Sequence, residues 1–350
     1  MQPTVTTRTR AGTITGLIAL FLIALGLALP AFASRSLIQD LFFILTMLTL
    51  AQLWNLLAGY GGLVSVGQQA FVGIGAYAMF AGVILWGIDP VLAIPLGGLA
   101  ALLLAIPTAF FAFRLAGAYF AIGTWVIAEV TRLLVAQWKT LGGGTSLPRE
   151  ATGNIIGVET IRTLFDVREA AARDILAYWL ALALAVLTIA AIYALLRNRL
   201  GLALAAVRDK AEAANSVGVD ASRIRWAVFL IAAAMTGLVG ALIYVQTARI
   251  SPDAAFSVTD WTAYVIFIVV IGGIGRIEGP ILGVLVFYAL QTLLADFGAW
   301  YLLTLGLIAI AVMLFAPRGL WGLFSDRTGL QLFPVQRRLT GISFKGGQND

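Results

Sequence analysis

A polar island, residues 197–225, separates two apolar stretches and carries Glu212-Ala213-Ala214 with Gly218 four residues further on. The flanking segments are each near the ~20 apolar residues that cross a bilayer, and the island is too charged to enter hydrocarbon. The chain must therefore thread a membrane while holding a charged segment outside it. Composition agrees. Hydrophobic residues make up 61% of the 350, charged residues only 11%, and mean hydropathy is +0.96. Soluble domains carry roughly 25% charged residues. The fold class expected is all-α, a polytopic transmembrane helical bundle.

Absences narrow the chemistry. With no Cys and no His, thiol catalysis, Cys/His metal sites and imidazole acid–base chemistry are excluded. No enzyme is expected, and no metal or catalytic residue is assigned. The pI near 9.8 reflects basic loops, so no nucleic-acid partner follows from it; the lipid bilayer is the partner that composition implies.

Ten spans are predicted, at about 14–33, 37–58, 63–87, 91–113, 116–136, 175–196, 226–247, 261–275, 279–296 and 299–316. An even number puts both termini on one side. With that side cytoplasmic, the inner segments hold 15 basic and 6 acidic residues, against 7 basic and 10 acidic on the outer segments. Lys and Arg gather on the cytoplasmic side of membrane proteins, so this orientation is adopted. The chain then divides into an N-terminal segment 1–13, a membrane-spanning body 14–316 and a cytoplasmic tail 317–350. Within the body, 137–174 forms an outer loop and 197–225 the cytoplasmic island. In the tail, Trp321 and Phe324 beside Arg318 and Arg327 read as an interfacial anchor; beyond Pro334 no role is assigned.

The first span has signal-like features: Arg8-Thr9-Arg10, an apolar run, then Ala31-Phe32-Ala33. Retention is the reading adopted, because another apolar segment follows at once. In the outer loop, Arg162, Asp166, Glu169 and Arg173 recur at four, three and four residues, which predicts one short surface helix.

Two glycine-rich runs stand out. Asn55 to Phe71 contains Gly59, Gly61, Gly62 and Gly67 with Ser65, Gln68 and Gln69. Such a run is either a broken helix at a pathway or a close-packing face, since irregular backbone at membrane depth survives only within protein or beside water. Gly272-Gly273-Ile274-Gly275-Arg276-Ile277-Glu278 is a fainter echo, with Arg276 and Glu278 read as a structural turn. Glu129 and Arg132, at i and i+3, are the charges inside a span. They form either a gate or a neutralised pair, and the pair is the reading adopted.

In the island, Leu204, Val207, Ala211 and Ala214 recur at three and four residues. One amphipathic helix is predicted, ended by Gly218. The helix either lies in the membrane interface or docks a partner, in which case Arg208, Asp209 and Glu212 on its other faces supply orientation.

Glu212-Ala213-Ala214-Asn215-Ser216-Val217-Gly218 resembles the EAA-x-x-x-G coupling loop of bacterial ABC importer permeases. The branched-chain amino-acid permeases of LivM type are similar over most of residues 40–322. The ordered agreement includes Asn55-Leu56-Leu57-Ala58-Gly59-Tyr60-Gly61-Gly62, Gly117-Ala118-Tyr119-Phe120-Ala121-Ile122-Gly123-Thr124, Trp138 to Gly144, Gly272-Gly273-Ile274-Gly275 and Pro317-Arg318-Gly319-Leu320. Thr145-Ser146-Leu147-Pro148 and the stretch 159–174 depart from it.

The resemblance implies a permease subunit of an importer for branched-chain or related amino acids in the bacterial inner membrane. Its partners would be two ABC ATPase subunits, a periplasmic substrate-binding protein and a second permease subunit, LivH-like or another copy. No cofactor is expected in this chain; ATP would be bound by the ATPases. Arg208, Asp209, Glu212, Ala213, Ala214 and Gly218 would couple to those ATPases, and Ser65, Gln68, Gln69, Tyr119 and Glu129 are candidates for the pathway. Competing readings are a family member for urea, an amide or an organic acid, and a secondary transporter working alone.

Overall fold

The computed structural model describes residues 4–6, 10–216, 218–294, 297, 299–328, 332–333 and 338–340; of Ala211 and Glu212 only the backbone is described. It is helical nearly throughout. The long helices in chain order are α1 (Arg10–Ala28), α2 (Arg35–Asn55), α3 (Gln68–Trp86), α4 (Pro90–Ala112) and α5 (Ala118–Ala136). Two short helices follow, α6 (Arg149–Gly153) and α7 (Val158–Phe165), then α8 (Glu169–Arg197). The island holds α9 (Arg199–Asp209) and α10 (Ala211–Ser216). The rest comprises α11 (Ala221–Thr247), α12 (Pro252–Ala255), α13 (Tyr264–Gly272), α14 (Glu278–Leu294), α15 (Ala299–Phe315) and α16 (Gly319–Thr328).

Among the described residues, eight helical segments are long and apolar enough to cross a membrane. Two more apolar helices, Gly16–Ala31 and Glu278–Leu294, are shorter. All ten apolar segments read from hydropathy are helical, and eight of them have the length and apolarity of a span. At 1.5 Å per residue, the 29 residues of α8 reach about 43 Å. The start of α8 lies beside the start of α2 through an Arg35–Asp174 ion pair. Its other end leads into α9, which touches the end of α2. The bundle thus has a handle end and a far end.

Apolar surface gains nothing by leaving lipid for protein, so helices in a bilayer associate through close packing and hydrogen bonds. The centre shows it. Helices α3, α4 and α11 cross where Gly75, Gly97 and Gly237 bring backbone against backbone. Phe71 meets Phe229 edge-on at 5.7 Å and Tyr77 stacks on Phe256 at 6.0 Å. By contrast α5 and α15 leave Tyr119, Val126, Leu314 and Phe315 exposed.

The far-end loop is a packed cap. Val158 and Ile161 of α7 bury against Ile38 of α2 and Ile175 and Tyr178 of α8. A two-residue strand, β1 (Thr145–Ser146), pairs antiparallel with β2 (Arg249–Ile250) after α11. The single helix predicted across Arg162, Asp166, Glu169 and Arg173 is not formed. Asp166 adopts φ 48 and ends α7, so the four residues divide between two helices and Arg162 pairs with Glu159 instead. Burial of Val158 and Ile161 fixes α7 onto the bundle, while α8 must run down it.

In the tail, Trp321 and Phe324 stand 5.4 Å apart on α16, and Asp326 takes Arg318 at 2.8 Å and Arg276 at 3.6 Å. Residues 334–337 and 341–350 lie outside the described residues, as do 1–3 and 7–9 of the signal-like segment.

Candidate functional site

The island is two helices rather than one. Lys210 is extended (φ −154°, ψ 103°) and separates α9 from α10. In a continuous helix Val207 and Ala214 would stand about 10 Å apart along the axis. The break lets them meet, and with Ala221 they form a small buried cluster flanked by Val219 and Ile224. The expected apolar stripe is correct at Leu204, Val207 and Ala214, all buried. Packing, not helix propensity, sets the chain direction here.

Gly218 is the stop that the sequence suggests. Its N–H donates to Asn215 C=O at 3.0 Å and the Val219 N–H donates to Ala214 C=O at 3.0 Å. That pair of bonds is a Schellman motif, which needs a left-handed residue at this position. Gly218 supplies it at φ +87°, with open space where a Cβ would stand. Asn215 Oδ1 accepts from Ala221 N–H at 3.1 Å, and Asp220 then caps α11 through Arg223 N–H at 3.0 Å. Ala213 is exposed and the Asp209 side chain is 72% exposed. The Glu212 side chain lies outside the described residues.

Arg208 makes a contact that sequence spacing could not show. One face of its guanidinium meets Asp209 at 3.2 Å, but Nη1 turns into the bundle and donates to Gly59 C=O at 3.1 Å. Gly59 lies in a π-helical turn, Leu56–Tyr60, that extends α2. Any Cβ on Gly59 would overlap the backbone of Gly275. The two glycine runs that looked like echoes in sequence are therefore in contact. Asn55 fastens them: its Nδ2 donates to Arg276 C=O at 2.8 Å and its Oδ1 accepts from Gly275 N–H at 2.7 Å. Gln52 Nε2 donates to Ile277 C=O at 2.6 Å. Both amides are fully buried. Glu278, 7% exposed, accepts from Phe333 N–H at 2.9 Å. So the turn at Arg276–Glu278 is structural, as read, and it is also the seat of the handle.

Past Gly61 the chain leaves helical geometry until Gln68, with Leu63, Ser65 and Gly67 buried and Gly62 and Val64 exposed. Trp54 Nε1 donates to Ser65 C=O at 2.8 Å, Ser65 Oγ accepts from Gly67 N–H at 3.2 Å, and Val66 N–H donates to Thr124 Oγ1 at 3.1 Å. Thr262 Oγ1 accepts from Gln69 N–H at 3.3 Å and donates to Gln69 Oε1. The run holds a helix break over 61–67, followed by close packing of Gly73 on Phe256 and Gly75 on Gly237. Ser65, Gln68 and Gln69 are all buried, and neither polar atom of the Gln68 side chain has a partner among the described residues.

Tyr119 and Glu129 lie elsewhere. They share the open seam of α5 with Ile122, Val126 and Leu133, at spacings of three and four, and Tyr119 is 73% exposed. Arg132 binds Glu129 through Nη2 at 2.6 Å and Asp253 through Nη1 at 2.7 Å. The charges inside a span are thus paired, with Asp253 an addition that sequence spacing could not show.

At the far end two adjoining cavities, of about 420 and 650 Å³, share Ile243, Thr247 and Trp261. Sequence reasoning did not single out their lining. Its traces were the stretch Gly143 to Ser146, where agreement with the family gives way to departure, and Arg173, assigned to a helix face that does not form.

A bundle of long apolar helices with a charged handle seated on its core defines the class as a multi-pass membrane protein. Residues 36–317 match the family described as branched-chain amino acid transport system / permease component. Two curated relatives, each called high-affinity branched-chain amino acid transport system permease protein LivM, come from Escherichia coli K12 and Salmonella typhimurium LT2. Each is 30% identical over 317 residues, covering 86% of this chain and 74% of the relative. BraD of Pseudomonas aeruginosa, of the same description, is 34% identical over 131 residues, covering 36% of this chain and 41% of BraD. No solved structure matches. The chain belongs to the branched-chain amino acid transport permease family, a family of transport components and not of enzymes.

Proposed function

We propose that this chain is the membrane subunit of an ATP-driven importer for branched-chain or related amino acids. It sits in the bacterial inner membrane with ten crossings and both termini cytoplasmic. The handle faces the cytosol, where two separate ATPase subunits grip α9 and α10; Asp209 and Ala213 are exposed to them, Glu212 belongs to the same coupling segment, and Ala214 holds α10 against Val207 from within. A periplasmic binding protein delivers solute to the far end. Gly218 acts by turning the chain from α10 into α11, which carries handle motion directly into a central helix.

One observation carries this reading: Arg208 joins the handle to the Gly59–Gly275 contact, where α2 meets the turn between α13 and α14. A handle that moved would pull on that contact. Alternating access requires an element whose contacts differ between two states, and a single arginine bond between a two-helix handle and a π-helical turn is suited to such exchange.

The open seam of α5 supports a second permease subunit as partner. Glu129 and Arg132 have 42% and 26% of their side chains exposed. Charged groups within a span face protein or water rather than lipid. That seam therefore fits the pathway, with Tyr119 and Glu129 lining it and Ser65 and Gln69 holding the broken helix behind it. Gln68, buried and unpartnered beside the break, is the third candidate for the pathway.

The test is Arg208→Ala in vesicles reconstituted with the full set of subunits. ATP hydrolysis stays within about twofold while solute uptake falls about tenfold or more, roughly the loss of one charge-assisted hydrogen bond on the path of motion. Uptake that keeps pace with hydrolysis removes Arg208 from the coupling route. Uptake by this chain alone, without nucleotide, removes the importer reading itself.

A further inference from the structure

The smaller far-end cavity, about 420 Å³, is walled by Arg35, Arg173, Asp174, Phe42, Ile243 and Trp261 among others. Its charges do not balance. Asp174, 3% exposed, is the only acid on the wall, and its Oδ2 accepts from Arg35 Nε at 2.7 Å and from Gln39 Nε2 at 2.9 Å. Arg173 has no such arrangement. It makes no hydrogen bond or ion pair among the described residues, and its Nε is shielded from solvent without an acceptor. A guanidinium partly withdrawn from water and left unpaired is unfavourable. The cavity beside it is the space an acceptor would occupy.

We infer that this cavity binds the carboxylate of a small aliphatic amino or oxo acid, with Arg173 as its anchor. The guanidinium fork matches a planar carboxylate through two parallel bonds. An ammonium group finds no free acid there, because Asp174 is already held by Arg35 and Gln39. Phe42, Ile243 and Trp261 offer the apolar wall that a branched side chain would cover. The volume lies near the small end of ligand clefts, roughly 300–1,000 Å³. The adjoining cavity, reached past Thr247 and Trp261, gives such a solute somewhere to go. The direction of travel rests on the importer reading; the occupancy does not.

Because the chain has no cysteine, a Thr247→Cys variant offers a single thiol at the mouth shared by both cavities. The assembled permease–ATPase complex, without binding protein, is labelled in lipid nanodiscs with a charged thiol reagent. Leucine and 4-methylpentanoate, which keep tail and carboxylate, slow labelling about fivefold or more. Isopentylamine, with tail and ammonium only, leaves it unchanged. Adding Arg173→Gln raises the half-protecting leucine concentration about tenfold or more, whereas Arg173→Lys stays within about threefold. Protection that survives Arg173→Gln unchanged, or that isopentylamine gives as well as leucine, overturns the inference. Arg173-dependent protection in a complex whose uptake needs no ATP supports the cavity and overturns the importer reading.

Discussion

The two ends of the bundle are built on opposite plans. At the handle end, Gln52 and Asn55 are fully buried and bond directly to backbone groups some 220 residues away in sequence, and glycines bring the two backbones into contact. At the far end, two cavities lie open and Arg173 has no partner among the described residues. The difference teaches how such a machine divides its work. A close-packed joint transmits displacement because packed interiors do not yield continuously. A roomy end can admit and release a solute.

The largest effect that tests this contrast is Asn55→Ala. It strips partners from the Gly275 N–H and the Arg276 carbonyl inside protein, at about 1–3 kcal/mol for each group left unpaired. Thermal unfolding of the purified protein in detergent should show a marked loss of stability, with uptake abolished. A neutral result would mean that the joint is not the rigid element described.

Arg35→Ala at the far end comes next. It leaves the buried Asp174 carboxylate with Gln39 alone, but Arg35 is 53% exposed and water can replace it in part. A cost of about 1–2 kcal/mol is expected from the same unfolding measurement, below that of Asn55→Ala. Equal costs would erase the distinction between a stiff end and a forgiving one.

The smallest effect is Gly218→Ala. The site is sterically open, so only the left-handed backbone at φ +87° is penalised, at about 1 kcal/mol. Uptake should fall less than in Arg208→Ala, since the stop loosens while the Arg208–Gly59 bond remains. A larger fall in uptake at unchanged stability would assign Gly218 a direct contact with a partner.

Much of the site was legible in local spacing, and the misses share one cause. The Glu129–Arg132 pair and the Gly218 stop depend on residues three to four apart, and both appear as read. The single island helix fails at Lys210 because burying Ala214 against Val207 outweighs continuing the helix. The single loop helix fails at Asp166 because α7 packs onto Ile38 while α8 must run down the bundle. The inward bond of Arg208 was not legible, since nothing near it in sequence reveals a carbonyl at Gly59.

By itself the sequence determined the membrane as the solvent, the helical class, the position of the apolar segments and the polar island between them. Those follow from how much apolar side chain each stretch carries, a property each residue holds alone. Only the tertiary structure decided that the two glycine runs touch, that Arg208 turns inward and that Arg173 is left facing a cavity. Each of these depends on which backbones can approach each other, and that is settled by packing between segments that the chain order leaves far apart.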